Sequence, residues 1–182
     1  EDSNWLIASN EDGSGMYLLE PLGENAYTVE TGFSPDSQVA ALHRKYTGID
    51  SQEIYPLGLN GENLKSFKVS GAGFTSTWSP QGNSLLYSVY SDGTNYNPNL
   101  WVTKGNTSEL GDIKVSLNVS TWPEKCTFVG EDSLYCAVPQ GLPRGAGLYP
   151  EVANEYPDNI YRIDLNSGLK SLLASPVGAR GG

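Results

Sequence analysis

Apolar and polar residues alternate along this chain in short runs, and the runs are broken by Gly, Pro, Asn and Asp. "NSLLYSVY" (83–90) and "NLWVTK" (99–104) are typical. Runs of four to eight residues with β-branched and aromatic side chains, closed by such breakers, predict strands joined by tight turns. No stretch repeats its apolar residues at helical spacing over several turns.

The runs recur. "FSPDSQVAAL" starts at Phe33, "WSPQGNSLLYSV" at Trp78 and "FVGEDSLYCAV" at Phe128, about 45 to 50 residues apart. Each is an aromatic residue, a tight turn and a strand-like run. A second series lies out of phase with the first: "GMYLLEPLG" around Tyr17, "EIYPLGLNG" around Tyr55, "NLWVTKG" around Trp101 and "NIYRIDLNSG" around Tyr161. After each, a Gly-containing turn leads to another short run: "AYTVE", "LKSFKV", "DIKVS" and "LKSLLAS". One unit is therefore strand a, Ser-Pro turn, strand b, loop, strand c, Gly turn, strand d. Four strands in roughly 40–50 residues predict an all-β fold of β-propeller blades.

The stretches "TWSPQGNSLLYSVYSDGTNYNPNLWVTKG" and "NIYRIDLNSGLKSLLAS" resemble the TolB-type repeats, relatives of the WD-repeat propellers. The likeness covers Phe33 to Ser175. It departs in the last unit, where "FVGED" stands in place of Ser-Pro-Asp-Gly, and the first unit has no strand a. The resemblance implies four-stranded antiparallel blades in a ring larger than this chain can build. It says little about activity, because such propellers serve both as binding modules and as parts of enzymes. The expected blades are 5–32 (partial, with Trp5 to Ser9 as strand b), 33–70, 73–118 and 122–175. They form a single domain, 1–175, with a flexible tail at 176–182. An incomplete ring exposes the faces of its end blades. Either the rest of a parent chain or a second copy is then expected to cover them, unless "PVGAR" closes a small ring by donating a strand.

Composition narrows the function. The 182 residues hold 21 Asp and Glu against 11 Lys and Arg, a formal net charge of −10. With no basic cluster, nucleic acid is not an expected partner. No run of apolar residues is long enough for a transmembrane helix. The opening "EDSNWLIAS" has neither Met nor a leader, so any signal peptide is expected to have been removed.

Cys126 and Cys136 flank the turn of the last a–b hairpin and fall opposite each other if that turn centres near residue 131. Directly paired residues reach disulfide distance. A disulfide suits a secreted, cell-surface or periplasmic protein.

In a propeller the b–c and d–a connections share one end of the domain. The expected b–c loops are His43–Glu53, Tyr90–Asn99 and Pro139–Asn159, and loops that lengthen on one face carry contacts. Tyr90, Asp92, Tyr96 and Asn97 in the second, with Tyr149, Glu151, Glu155, Tyr156 and Asp158 in the third, are the candidate ligand-binding residues. Asn, Asp and Gly also simply make turns, and the long third loop could instead cover the axial opening with its tyrosines packed down. One Asp among asparagines falls short of a calcium site. One His and two Cys fall short of a zinc set. His43 is expected at the mouth of its loop, in solvent, and no G-x-S-x-G nucleophile occurs. Asn106 and Asn118 match the N-glycosylation triplet.

The expected function is a non-catalytic module, with no catalytic residues, metal or cofactor, that presents the long-loop face to a protein or glycan. Two alternatives stand beside it. One is the accessory propeller of a larger enzyme such as a prolyl-oligopeptidase-like peptidase. The other is a carbohydrate-active propeller using Glu151, Glu155 or Asp158.

Overall fold

A computed structural model describes residues 4–176. Among them are fourteen strands. They are β1 (Asn4–Ala8), β2 (Tyr17–Gly23), β3 (Val29–Thr31), β4 (Val39–Gly48), β5 (Ser51–Gly58), β6 (Phe67–Ser70), β7 (Ala72–Trp78), β8 (Ser84–Tyr90), β9 (Asn99–Lys104), β10 (Val115–Ser116), β11 (Cys126–Phe128), β12 (Ser133–Pro139), β13 (Asp158–Asp164) and β14 (Lys170–Ala174). Every pairing is antiparallel.

The strands make four sheets in chain order: β1–β2, β3–β6, β7–β10 and β11–β14. The last three have four strands each, connected as successive neighbours. This is the four-stranded antiparallel blade, three times complete and once partial. Among the described residues the array does not close, and the fold is an incomplete β-propeller.

The repeated Ser-Pro turn has a structural cause. Ser34 and Ser79 are buried, and the hydroxyl of each accepts a backbone N–H across its turn, from Val39 at 2.9 Å and from Ser84 at 3.0 Å. A hydroxyl at that position satisfies a donor that the tight turn would otherwise bury unpaired. The repeat is therefore architecture.

Burial follows the period of two. β8 sends Leu85, Tyr87 and Val89 toward the second sheet, where they meet Leu42, Ile54, Phe67 and Val69. It sends Leu86 toward the fourth sheet, where Leu86 joins Leu100, Leu134, Cys136 and Ile163. Phe74, Tyr87 and Trp101 stack in sequence, with ring centroids 5.4 Å and 6.3 Å apart. Between sheets, polar side chains bond to backbone. Buried Gln52 accepts from Phe74 N at 3.1 Å, and Arg44 donates to the carbonyls of Thr28, Phe74 and Tyr27.

Two expectations are corrected. "AYTVE" is not strand d of the first blade: Val29–Thr31 pairs with His43, Leu42 and Ala41, and so is strand a of the second sheet. A 3₁₀ turn at Ala26–Thr28 redirects the chain, and Glu30 is fixed by accepting from Ser76 N and Oγ across the gap to β7. Among the described residues the first sheet thus has two strands, and β1 and β2 pair only with each other. The loop expected at His43–Glu53 is also strand. β4 and β5 continue to Gly48 and from Ser51, leaving only Ile49 and Asp50 between them. Arg44, inside the span expected to be a loop, donates to three carbonyls and holds β4 in place. His43 is half-buried within β4, its ring 6.2 Å from Tyr55, and burial holds its pKa below the usual value.

Cys126 and Cys136 are register partners and form the expected disulfide. Pro176, the first residue of "PVGAR", ends the described chain, so the rest of "PVGAR" and most of the expected tail lie outside the described residues. Among the described residues no helix is long and apolar enough to cross a membrane.

Candidate functional site

Strand order places the β4–β5, β8–β9 and β12–β13 connections at one end of the molecule. Sequence gives these three connections different characters. The first is a two-residue turn on a long hairpin that carries Tyr46 and Ile49 into solvent, Ile49 being 92% exposed. The second, 91–98, begins with a capped 3₁₀ turn at Asp92–Thr94. There Ser91 and Thr94 bond reciprocally, and Thr94 Oγ1 also donates to Asn97 O at 2.7 Å. Asn95 and Tyr96 then adopt left-handed backbone conformations, with φ of 55° and 56°.

The third connection, 140–157, docks on the second through its backbone. Gly145 N donates to Asn95 O at 2.9 Å and Gly147 N to Tyr96 O at 2.8 Å. Between them Ala146 N donates to Asn97 Oδ1 at 3.2 Å. The left-handed turn aims the carbonyls of Asn95 and Tyr96 at these donors. Ala146 and Ala153, with Leu142 and Val152 beside them, pack on buried Trp122 in a small core of their own. The insertion is thus held by hydrogen bonds and by burial.

Tyr90 works inside this assembly. A Cβ on Gly147 would lie 2.7 Å from that of Tyr90, and one on Gly73 would overlap the Tyr90 ring. Only glycine lets the two backbones close on the ring. Burial raises the Tyr90 pKa, and the charge of nearby Tyr46 adds to the rise.

The other candidates divide by exposure. Asp92 is exposed and lies 3.5 Å from Arg144, whose guanidinium sits 5.7 Å from the Tyr96 ring centroid. Tyr149 is 65% exposed, whereas Tyr156 is half-buried. Glu151 and Glu155 stand exposed on a 3₁₀ turn at Pro150–Glu155. Asp158 is partly buried and paired with Lys125 at 2.7 Å, its second oxygen buried with no hydrogen-bond partner. The structure therefore joins Tyr90, Asp92, Tyr96 and Asn97 to the insertion around Arg144. Asp158 belongs instead to the fourth sheet, as the first residue of β13, and pairs there with Lys125 just before β11.

Sequence reasoning missed Arg144, Lys125 and the hairpin tip. The buried alternate positions of β5, Gln52, Ile54 and Pro56, start at the end of the supposed loop and continue past it. Trp122 is a large apolar residue that opens the last unit and equally marked a packing site for the insertion.

Among the described residues no three of His, Cys, Asp and Glu cluster so as to hold a metal ion. Asn106 is bonded to Glu109 within a turn, and Asn118 is exposed with a left-handed φ of 50°.

No protein-family model matches the chain, and no curated protein sequence does. Solved structures match its fold. The uncharacterized protein lmo1340 from Listeria monocytogenes EGD-e superposes with a TM-score of 0.61 at 16% identity, over 96% of this chain and 51% of that one. TolB from Acinetobacter baumannii superposes with a TM-score of 0.52 at 16% identity, over 93% of this chain and 37% of that one. The chain spans about half the length of the first and little more than a third of the second.

Proposed function

We propose that this chain is a non-catalytic binding module of a secreted, cell-surface or periplasmic protein, and that the b–c face contacts a protein or glycan. The carrying observation is the docking of 140–157 on 91–98 through three backbone donors. A fixed loop presents its side chains at little cost in ordering. Tyr149, Arg144 and the Tyr46–Ile49 tip then offer aromatic and cationic groups of the kind enriched at contact sites. The disulfide supports an oxidising compartment.

The test is selection of ligands from a glycan array and a displayed peptide library against the immobilised protein. Binders should lose at least tenfold in affinity for the Arg144→Ala, Tyr149→Ala double variant, with its thermal midpoint unchanged. Binders indifferent to both residues, or none from either library, would overturn the reading.

The share of matched chains favours a second element. A chain that fits half of one larger structure and a third of another is completed by further blades, from its parent chain or from a second copy. The same observation supports a place as the accessory propeller of a larger enzyme. Exposed Trp5, Ile7, Tyr17 and Leu18 on the first sheet, and Leu172 and Leu173 on β14, are the surfaces to be covered. Sedimentation velocity should show self-association, or the longer gene product should protect these residues from solvent. A lone, soluble monomer in both forms with both ends exposed would refute this.

A further inference from the structure

A cleft of about 620 Å³ lies between the third and fourth sheets, beside the docked loops, and shares only Asn97 with the candidate residues above. Its volume falls within the range of small-molecule sites. We propose that this cleft binds a sugar acid: a hydroxylated ring bearing one carboxylate.

Charge is the first ground. The chain carries 21 acidic residues against 11 basic ones, yet this cleft is lined by one cation, Lys170, and by no carboxylate. The clefts of about 420 Å³ and 290 Å³ elsewhere contain Glu30 and the Glu131–Asp132 pair respectively. An anion entering the larger cleft therefore meets no repelling carboxylate at contact distance.

The state of Lys170 is the second ground. Its ammonium donates to Asn118 O at 3.0 Å and forms no ion pair among the described residues. The left-handed backbone of Asn118, a conformation that asparagine tolerates, supplies that carbonyl. One of three ammonium donors is used, and the others remain for a carboxylate.

The wall is the third ground. Val119, Val138, Leu142 and the half-buried ring of Tyr161 give an apolar surface for the C–H face of a sugar ring. Ser120 and the amide of Asn97, whose oxygen is already engaged by Ala146 N, supply polar groups for ring hydroxyls. A plain anion site would not need the apolar wall, and a plain apolar pocket would not need Lys170.

The probe is glucuronic acid, added to ¹⁵N-labelled protein from a bacterial host so that Asn118 carries no glycan. Amide resonances of 118–120, 138 and 140–142 should shift saturably, with glucose at least tenfold weaker. Lys170→Glu should weaken glucuronate at least tenfold, and Lys170→Arg should retain it. Ser120→Tyr, which fills the cleft without changing charge, should abolish it. Tyr149→Ala should leave it unchanged, which separates this site from the loop face. A glucuronate-terminated disaccharide that binds at least as tightly as the free acid assigns a glycan end, and weaker binding assigns the free acid. Absence of saturable shifts, equal affinity for glucose, or indifference to Lys170→Glu would overturn the proposal.

Discussion

The third and fourth sheets share strand order and cross-strand apolar pairing, but they are held by different means. The third is covered on both faces, by Phe74, Leu85 and Tyr87 on one side and by Leu86 and Leu100 on the other. In the fourth sheet the face carrying Leu134, Cys136 and Ile163 joins the apolar core. Opposite it Tyr135 is 40% exposed, and every residue of β14 is exposed. In compensation the fourth sheet carries cross-links: the disulfide, the Lys125–Asp158 ion pair, and Glu131 reaching to Ser79 Oγ and Gln81 N. With one neighbour, the fourth sheet adds two bonds within its own blade, the disulfide and the ion pair, and one side chain, Glu131, that reaches the third.

The strongest way to break that comparison is to delete side chains on each. Phe74→Ala removes a fully buried ring from the core between the second and third sheets and should cost about 3–5 kcal/mol in urea unfolding. Leu173→Ala, on the exposed edge strand, should stay within about 0.5 kcal/mol. A Leu173 penalty approaching that of Phe74 would mean that the outer face is covered in solution.

Removing the disulfide comes next. The pair Cys126→Ala, Cys136→Ala releases a short loop and should cost about 2–3 kcal/mol. The loss should be local. Hydrogen exchange at β12 and β13 should accelerate while β8 amides keep their protection. Equal acceleration in β8 would show that the two sheets unfold as one unit.

The repeat, the disulfide pairing and the three complete sheets were legible because each rests on local pattern: period-two burial, a turn hydroxyl and residues opposite across a hairpin. Strand membership at the first sheet was not, since "AYTVE" suits either blade until Glu30 finds Ser76, 46 residues away in sequence. The β4–β5 hairpin was missed because Arg44 in it is satisfied by the carbonyls of Tyr27, Thr28 and Phe74, distant in sequence. At the candidate site the loop tyrosines were visible, but the docking of 140–157 on 91–98 depends on left-handed Asn95 and Tyr96 and on Trp122. Spacing along the chain does not reveal that three-way arrangement.

A smaller effect separates the two junctions. Glu131→Ala deletes the acceptor that joins the fourth sheet's a–b turn to that of the third, and should cost about 1–2 kcal/mol. The same fourth-sheet amides that respond to loss of the disulfide should respond here. Protection lost in the second sheet instead would place the effect elsewhere.

The smallest effect tests the junction on the other side of the third sheet. Glu30 accepts from Ser76 N and Oγ through one oxygen, while its other oxygen is buried without a partner. Burial raises its pKa, opposed by the Ser76 bonds and by the charge of Arg44. A carboxyl with a raised folded-state pKa binds its proton more tightly when folded. Its contribution is therefore most favourable below the ordinary glutamate value and is lost as pH rises through the folded one. Glu30→Gln keeps an acceptor for Ser76 and removes the ionisation. The stability of this variant relative to the parent should thus increase as pH rises from about 4 to about 7. A difference that stays flat across that range would mean that Arg44 compensates the buried charge. Glu30 and Arg44 both belong to the second sheet, so that compensation would act within it, and the Ser76 bonds would remain the link that Glu30 makes to the third.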